Sequence, residues 1–431
     1  MSRLNRILVT ALLAVLPMLG ACDAEELMPP AAIDGLFARY VSIGNSITAG
    51  FQSGGITDDM QLQAYPVLLA QQMGLTVGAS GADFNVPLMT DPGCPPPYTN
   101  IFTQERDMGL TAGDCYLRQT TPEFLNNVAV PGAKTVDAFD NLDTTGNPNA
   151  LTTLFLGGRT QLEAAAEIEP TFVTVWMGNN DALGAITTPG MAGDASLLTD
   201  PTTFAGLYSE MMDDLDAIGS IDGGVLIGVV HVTSAPYLTQ GRAWAGFEAQ
   251  FDALTAPLNA FDVNANCLAF QALTATDTAW ASVPFHHGAP LLASANAKID
   301  SVQGGTLNPL DLVPVELDCS ATDAVTVPEL VNIITTITAF NAAIEAEADE
   351  RGWVYVDPNA LLRQLATDPD QIRPFPAFPG SAPPEVTLNS PFGTALSLDG
   401  LHPSASAHVT VANALIAAIN AAYSTNIPAI N

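Results

Sequence analysis

The fold class this sequence predicts is a three-layer α/β/α domain around a mostly parallel five-stranded sheet. Three observations carry it. Short β-branched or aromatic runs recur at 41–43, 125–130, 172–177, 225–230 and 353–356. Segments with helical spacing, several opened by capping signals, alternate with those runs, and that alternation builds parallel sheets covered on both faces. The chain is 431 residues long, 48% hydrophobic and 13% charged, which is enough to bury a large core and is not the composition of a disordered chain. There is no internal repeat and no clear boundary, so 35–431 reads as one domain with insertions at about 52–123 and 232–325.

The first 34 residues stand apart. Arg3 and Arg6 form a basic start, 7–19 is an apolar run, and Leu19-Gly20-Ala21-Cys22 is a small-residue site ending in cysteine. Residues 1–22 resemble a bacterial lipoprotein signal, too short to span a bilayer, with Cys22 as the lipidated first mature residue. An ordinary secretory signal is the alternative, and either one exports the chain. Residues 23–34 read as a Pro-containing acidic tether. The expected location is a bacterial membrane anchor facing the periplasm or the cell surface. No later segment approaches a roughly 20-residue apolar span, so the remainder is expected to be soluble.

Export makes the other cysteines legible. Cys94, Cys115, Cys267 and Cys319 are an even set in an oxidising compartment, which points to two disulfides. Three pairings are possible; near neighbours, Cys94 with Cys115 and Cys267 with Cys319, are favoured. No spacing resembles a metal-ligand set, so no metal is expected. The formal charge of −33 becomes −35 once Arg3 and Arg6 leave with the signal. Such a field repels nucleic acid and anionic membrane surfaces.

In chain order, 41–43 stops at Gly44, and Ser46 follows in a small-residue turn that leads into a helix. Residues 52–123 are largely irregular, with turn signals at Gly54-Gly55, Pro87, Pro92 and Cys94-Pro95-Pro96-Pro97. The second strand, 125–130, breaks at Pro131-Gly132-Ala133, and a helix is expected from about Thr135. Thr160 and Glu163 have the form of a capping box. The run 172–177 ends at Gly178-Asn179-Asn180-Asp181. Asp200-Pro201 is an N-cap followed by proline at the first helical position, and Phe204, Leu207, Met211 and Leu215 share one face. Thr326 to Glu329 opens another capped helix, with Leu330, Ile334, Ile337 and Ile344 as its buried stripe, ending at Gly352. The last helix is expected over 403–423, burying Val411, Leu415 and Ile419.

Four stretches then fall on the carboxyl edge of the sheet or beside the last helix, where doubly wound folds place their sites. They are Gly44-Asn45-Ser46, Gly132, Gly178-Asn179-Asn180-Asp181 and Asp399-Gly400-Leu401-His402-Pro403. A serine hydroxyl is a weak nucleophile until an imidazole takes its proton, and His402 is the candidate. Asp399, three residues earlier, can curl one turn and accept the other ring N–H. The Ser46 N–H, the Gly132 N–H and the Asn180 amide are candidate donors to an oxyanion, each worth roughly 3 kcal/mol of barrier.

This set resembles the SGNH hydrolases, also called GDSL esterases and lipases, whose four blocks occur in this order. The resemblance implies a flavodoxin-like fold, Ser46 as nucleophile, His402 as base, Asp399 as its orienter, and Ser46, Gly132 and Asn180 as the oxyanion hole. It implies carboxylic ester hydrolysis through an acyl-enzyme without a cofactor, on acylated glycans or acyl lipids. Asn45 departs from the family's Asp, a structural hydrogen-bonder that asparagine can replace. Two alternatives stay open: an O-acyltransferase with a sugar acceptor, and a silent surface lipoprotein that binds glycan or protein. Of the other histidines, His231 reads as structural, His286 and His287 as surface, and His408 as solvent-facing or at the core edge. Trp176 reads as core, and Asp181 as a local hydrogen-bonding residue.

Overall fold

The computed structural model describes residues 34–115, 124–140, 154–274, 278–375 and 390–431. Cys22 and the leader lie outside them, as does most of the proline-rich stretch 374–391. Strands β1 (Tyr40–Gly44), β2 (Phe172–Trp176), β3 (Gly223–Ile227) and β4 (Val354–Val356) form one sheet in that order. Every pairing is parallel: Ser42 lies opposite Thr174, Thr174 opposite Val225, and Val354 opposite Val225 on the other side.

The expected fifth strand, 125–130, is corrected to an irregular edge segment with a single parallel bridge, Asn127 to Ser42. It does run along β1: Ser42 N–H donates to Asn126 O at 2.8 Å, Val128 N–H to Ser42 O at 3.0 Å and Val130 N–H to Gly44 O at 3.1 Å. Its asparagines interrupt the ladder. Asn126 donates its amide to Tyr40 O and accepts from the Asn85 N–H, while Asn127 accepts from Ala129 and donates to Thr48 O. Side-chain amides thus take backbone groups that a strand would use. Counting this segment, the spatial order is 2-1-3-4-5, a doubly wound sheet whose switch point falls between β1 and β2.

The helices are α1 (Ser46–Ala49), α2 (Asp58–Leu62), α3 (Tyr65–Gln72), α4 (Gln161–Ala166), α5 (Asn180–Thr187), α6 (Pro201–Ile218), α7 (Gly241–Thr255), α8 (Phe285–Gln303), α9 (Val327–Arg351), α10 (Pro358–Leu365) and α11 (Ala405–Tyr423). The period-two pleat sorts strand residues between two helical layers. Val41, Ile43, Val173, Val175 and Leu226 join the core under α6 and α9. Tyr40, Phe172, Trp176, Val225 and Ile227 join the core under α3 and α11. Leu415 and Ile419 on α11 are fully buried there, each such side chain contributing roughly 1.5–3 kcal/mol relative to exposure. Residues Asp34–Asn431 make one compact unit.

The local signals explain the helix ends. Glu163 closes a reciprocal capping box with Thr160, and the Asp200 carboxylate accepts from the Thr202 and Thr203 N–H groups. Glu329 accepts from the Thr326 N–H at 2.8 Å, and Gly352 ends α9 at φ 63°. On α9 the buried stripe includes Ile333, with Ile334 only half-buried. Both α9 and α11 are long and apolar enough by composition to cross a bilayer, yet they lay their apolar faces on the sheet. The expected helix at Thr135 is a single 3-10 turn, Thr135–Ala138.

The first insertion is more regular than expected. It holds α2 and α3, and α3 packs with α11 on the same face of the sheet. The second holds α7, α8 and three pairs of short strands, and its Trp244 and Phe261 continue the main core. Disulfides join Cys94 to Cys115 and Cys267 to Cys319.

Candidate active site

Gly44 ends β1 where a Cβ would collide with Thr48, so the chain turns tightly into α1. Asn45 caps that turn: its Oδ1 accepts from the Ile47 N–H and its Nδ2 donates to Trp176 O, both at 3.2 Å. The side chain therefore ties the exit of β1 to the end of β2. Ser46 is the first residue of α1, whose single turn is closed by Gly50 at φ 89°. Asn127 Nδ2 braces it from the edge segment through Thr48 O at 3.0 Å.

Ser46 Oγ lies 2.9 Å from His402 Nε2, and His402 Nδ1 lies 2.8 Å from Asp399 Oδ2. Asp399 Oδ1 accepts from the Leu401 and His402 N–H groups at 2.9 Å and from Ser397 Oγ at 3.1 Å. Asp399 Oδ2 also accepts from the Gly54 N–H at 2.8 Å. Burial pushes this carboxyl up, but the His402 charge and the hydrogen bonds from His402 and Leu401 outweigh it and hold it at about 2. The Phe51 ring packs on His402 with centroids 5.0 Å apart.

Both insertions brace the 397–402 turn. From the first, the Ser53 N–H donates to Ser397 Oγ at 2.8 Å and Ser53 Oγ accepts from the Leu398 N–H at 3.2 Å. From the second, the Tyr237 N–H donates to Gly400 O at 3.3 Å. The sequence marks Gly54 only as part of a turn and does not single out Ser53 or Ser397, although Ser397 stands two residues before Asp399.

Asn180 opens α5 and donates Nδ2 to Ala133 O at 2.8 Å, which leaves its second amide hydrogen free of that bond. The bond holds the 131–133 turn against α5. Gly132 itself is exposed, with φ 82°. Gly178, at φ 106°, has no room for a Cβ beside Val229 and Phe204. Asn179 Oδ1 accepts from the Val230 N–H at 2.9 Å. Ser46, His402, Asn179 and Asn180 share a cavity of about 50 Å³ whose other walls include Ile47, Leu183, Val230 and Val232. Gly132 is not among its lining residues.

Asp181 is buried and accepts from the Thr135 N–H, Thr135 Oγ1 and Thr199 Oγ1. Burial raises its carboxyl while these bonds work against the rise. Trp176 is core, donating Nε1 to Gly228 O at 2.9 Å. Three histidine expectations are corrected. His408 is fully buried, because α11 presses it against α3, where its Nδ1 accepts from the Tyr65 N–H at 3.2 Å. His286 and His287 are half-buried because α8 packs into the core, and His286 Nδ1 lies 2.8 Å from Tyr237 Oη. His231 is half-buried; its backbone N–H donates to Asn359 Oδ1 at 2.6 Å. Among the described residues, no group of three or more His, Cys, Asp or Glu is arranged to hold a metal ion.

No known family model and no curated protein matches the chain. Among solved structures it is similar to a mutant of Axe2, an acetylxylan esterase from Geobacillus stearothermophilus, at 11% identity and a TM-score of 0.35, covering 88% of this chain and 93% of that one. It is also similar to LAE5, an alpha/beta hydrolase enzyme from the metagenome of Lake Arreo, Spain, at 12% identity and a TM-score of 0.33, covering 88% and 94%. Likeness this distant bears on neither activity nor substrate, and the α/β assignment rests on the chain's own sheet.

Proposed function

We propose that the chain is an exported, lipid-anchored serine esterase that hydrolyses carboxylic esters through an acyl-enzyme. One observation carries this reading: an unbroken hydrogen-bond chain from Ser46 Oγ through His402 to Asp399, at 2.9 and 2.8 Å. His402 Nε2 takes the hydroxyl proton as Ser46 Oγ attacks the ester carbonyl carbon. The ionised Asp399 keeps the proton on Nδ1 and stabilises the imidazolium. Collapse of the tetrahedral intermediate breaks the ester C–O bond, and His402 returns the proton to the leaving alcohol. Water then repeats the sequence on the acyl-enzyme and frees Ser46 and the acid.

The developing oxyanion needs donors already in place. The Ser46 N–H at the start of α1 and the free Asn180 amide hydrogen are the ones beside the cavity, with the Gly132 N–H as third donor. A cavity of about 50 Å³ suits a small acyl group and leaves the alcohol outside. Esters of short acids, such as acetylated glycans, fit this reading better than long acyl lipids.

The test is hydrolysis of p-nitrophenyl acetate by the mature chain beside its Ser46→Ala variant, with an organophosphonate label on Ser46. Cleavage that falls by several orders of magnitude in the variant supports the reading. A wild type that neither cleaves nor labels rejects it in favour of a silent surface protein. Transfer of acetyl to an added sugar in preference to water would favour the acyltransferase reading.

A further inference from the structure

Beside the Ser46 cavity, the described residues enclose a much larger one of about 640 Å³, within the roughly 300–1,000 Å³ of small-molecule sites. The two share a wall. Along 230–235, Val230, Val232 and Ala235 line the small cavity, whereas His231, Thr233 and Ser234 line the large one. Neighbouring residues of a single segment thus serve two sites.

The charge of the larger cavity runs against that of the whole chain. The protein has 45 acidic and 12 basic residues. Yet the described lining holds Arg242 and Arg363 and no aspartate or glutamate. Arg242 is pre-oriented: its Nε donates to Gln240 Oε1 at 2.7 Å, and its guanidinium lies 4.8 Å over the Trp280 ring. Among the described residues it forms no ion pair. Arg363 Nη2 reaches Asp357 at 3.4 Å, an exposed pair of little strength that leaves its other donors available. The Thr233, Ser234 and Thr278 hydroxyls line the same space together with Leu238 and Ile334. Guanidinium forks take carboxylates, side-chain hydroxyls exchange hydrogen bonds with sugar hydroxyls, and Leu238 and Ile334 add apolar contact surface.

We propose that this cavity binds an acidic saccharide, an oligouronide whose successive carboxylates are taken by Arg242 and Arg363. The site is separate from the Ser46 cavity and does not depend on the esterase reading.

The experiment is isothermal titration calorimetry of the full chain with trigalacturonate and with neutral maltotriose, at low and at 0.5 M salt. Neither trisaccharide carries an ester, so the result is independent of hydrolysis. Trigalacturonate is expected to bind one per chain, at least about ten-fold more tightly than maltotriose, and to weaken in high salt. Arg242→Gln and Arg363→Gln are each expected to weaken it about ten-fold, the size expected for losing a charge-assisted contact. Both side chains are exposed, and unchanged melting temperatures would confirm that the variants fold. Equal affinity for the two trisaccharides, no binding of trigalacturonate at millimolar concentration, or variants that bind like wild type would each overturn the proposal.

Discussion

The Gly54 N–H donates to Asp399 Oδ2 at 2.8 Å, although 345 residues separate them in the chain. This oxygen is the one that also meets His402 Nδ1. Gly54 is itself held by Arg106, a buried guanidinium that donates to Gly54 O at 2.8 Å and to Pro96 O at 2.5 Å and stacks 3.9 Å over the Tyr98 ring. The first insertion therefore supplies part of the electrostatic surroundings of the carboxylate.

Replacing Arg106 by Met should loosen Gly54 without touching the site directly. On the proposed mechanism, kcat for p-nitrophenyl acetate falls about ten-fold while KM changes little, and the Lys variant recovers part of the loss. A variant with wild-type kcat would remove Arg106 from the positioning of Asp399.

Asp399→Asn keeps the shape but places an amide among donors. By analogy with the general triad, kcat should fall by about 10⁴. The carboxyl also contributes to stability. Its folded value of about 2 lies below the ordinary 3.8. That stability, about 2 kcal/mol, is present above pH 3.8 and is lost as pH falls through 2. Denaturant titrations of wild type and variant at pH 6 and pH 2.5 should show a gap that narrows with acid.

His408 predicts a second acid effect in a higher window. Burial, and then the His402 charge, depress its imidazole to about 3 from 6.5. Its Nδ1 accepts from the Tyr65 N–H, and its Nε2 is buried without a hydrogen-bond partner among the described residues. The unfolded chain takes up this proton below pH 6.5 while the folded chain does not, so stability falls as pH drops from 6.5 toward 3. The slope is about 1.4 kcal/mol per pH unit for this group. His408→Gln should be less stable at pH 7.5 yet flatter across that window; an unchanged pH slope would remove His408 as the cause.

On the proposed reading, the small cavity sets an acyl-length limit. Activity on p-nitrophenyl esters should drop at least ten-fold from acetate to hexanoate, and Leu183→Ala should narrow that gap by opening the wall. Equal rates across the series would place the acyl group elsewhere.

Removing Cys267–Cys319 frees a loop spanning 52 residues and should cost about 4 kcal/mol by chain entropy. A Cys267→Ala, Cys319→Ala variant would show this as a lowered denaturant midpoint.

Much of the fold was legible locally. Strands β1 to β4, the capped starts of α4, α6 and α9, and the glycine stop of α9 follow from β-branched runs, carboxylate caps and left-handed glycines, all short-range physics. The edge segment was misread because its apolar pattern outweighed Asn126 and Asn127, whose amides take ladder groups only once Asn85 and Thr48 are near. Helix α3 was hidden by the proline and glycine signals around it, and its burial depends on α11.

The site divides the same way. Asp399 and His402 are three residues apart, so a single local turn suffices to join them and the pairing was readable locally. Ser53, Gly54 and Tyr237 brace that turn from distant segments. Ser46 is 356 residues from His402, and sequence order could nominate it only as one of four stretches on a common sheet edge. The 2.9 Å contact, the Gly54 donor, the burial of His408 and the shared wall of the two cavities were decided by tertiary structure alone. The physical reason is that backbone N–H groups and empty volume have no residue letter. They acquire chemistry only when packing brings distant segments within hydrogen-bond range.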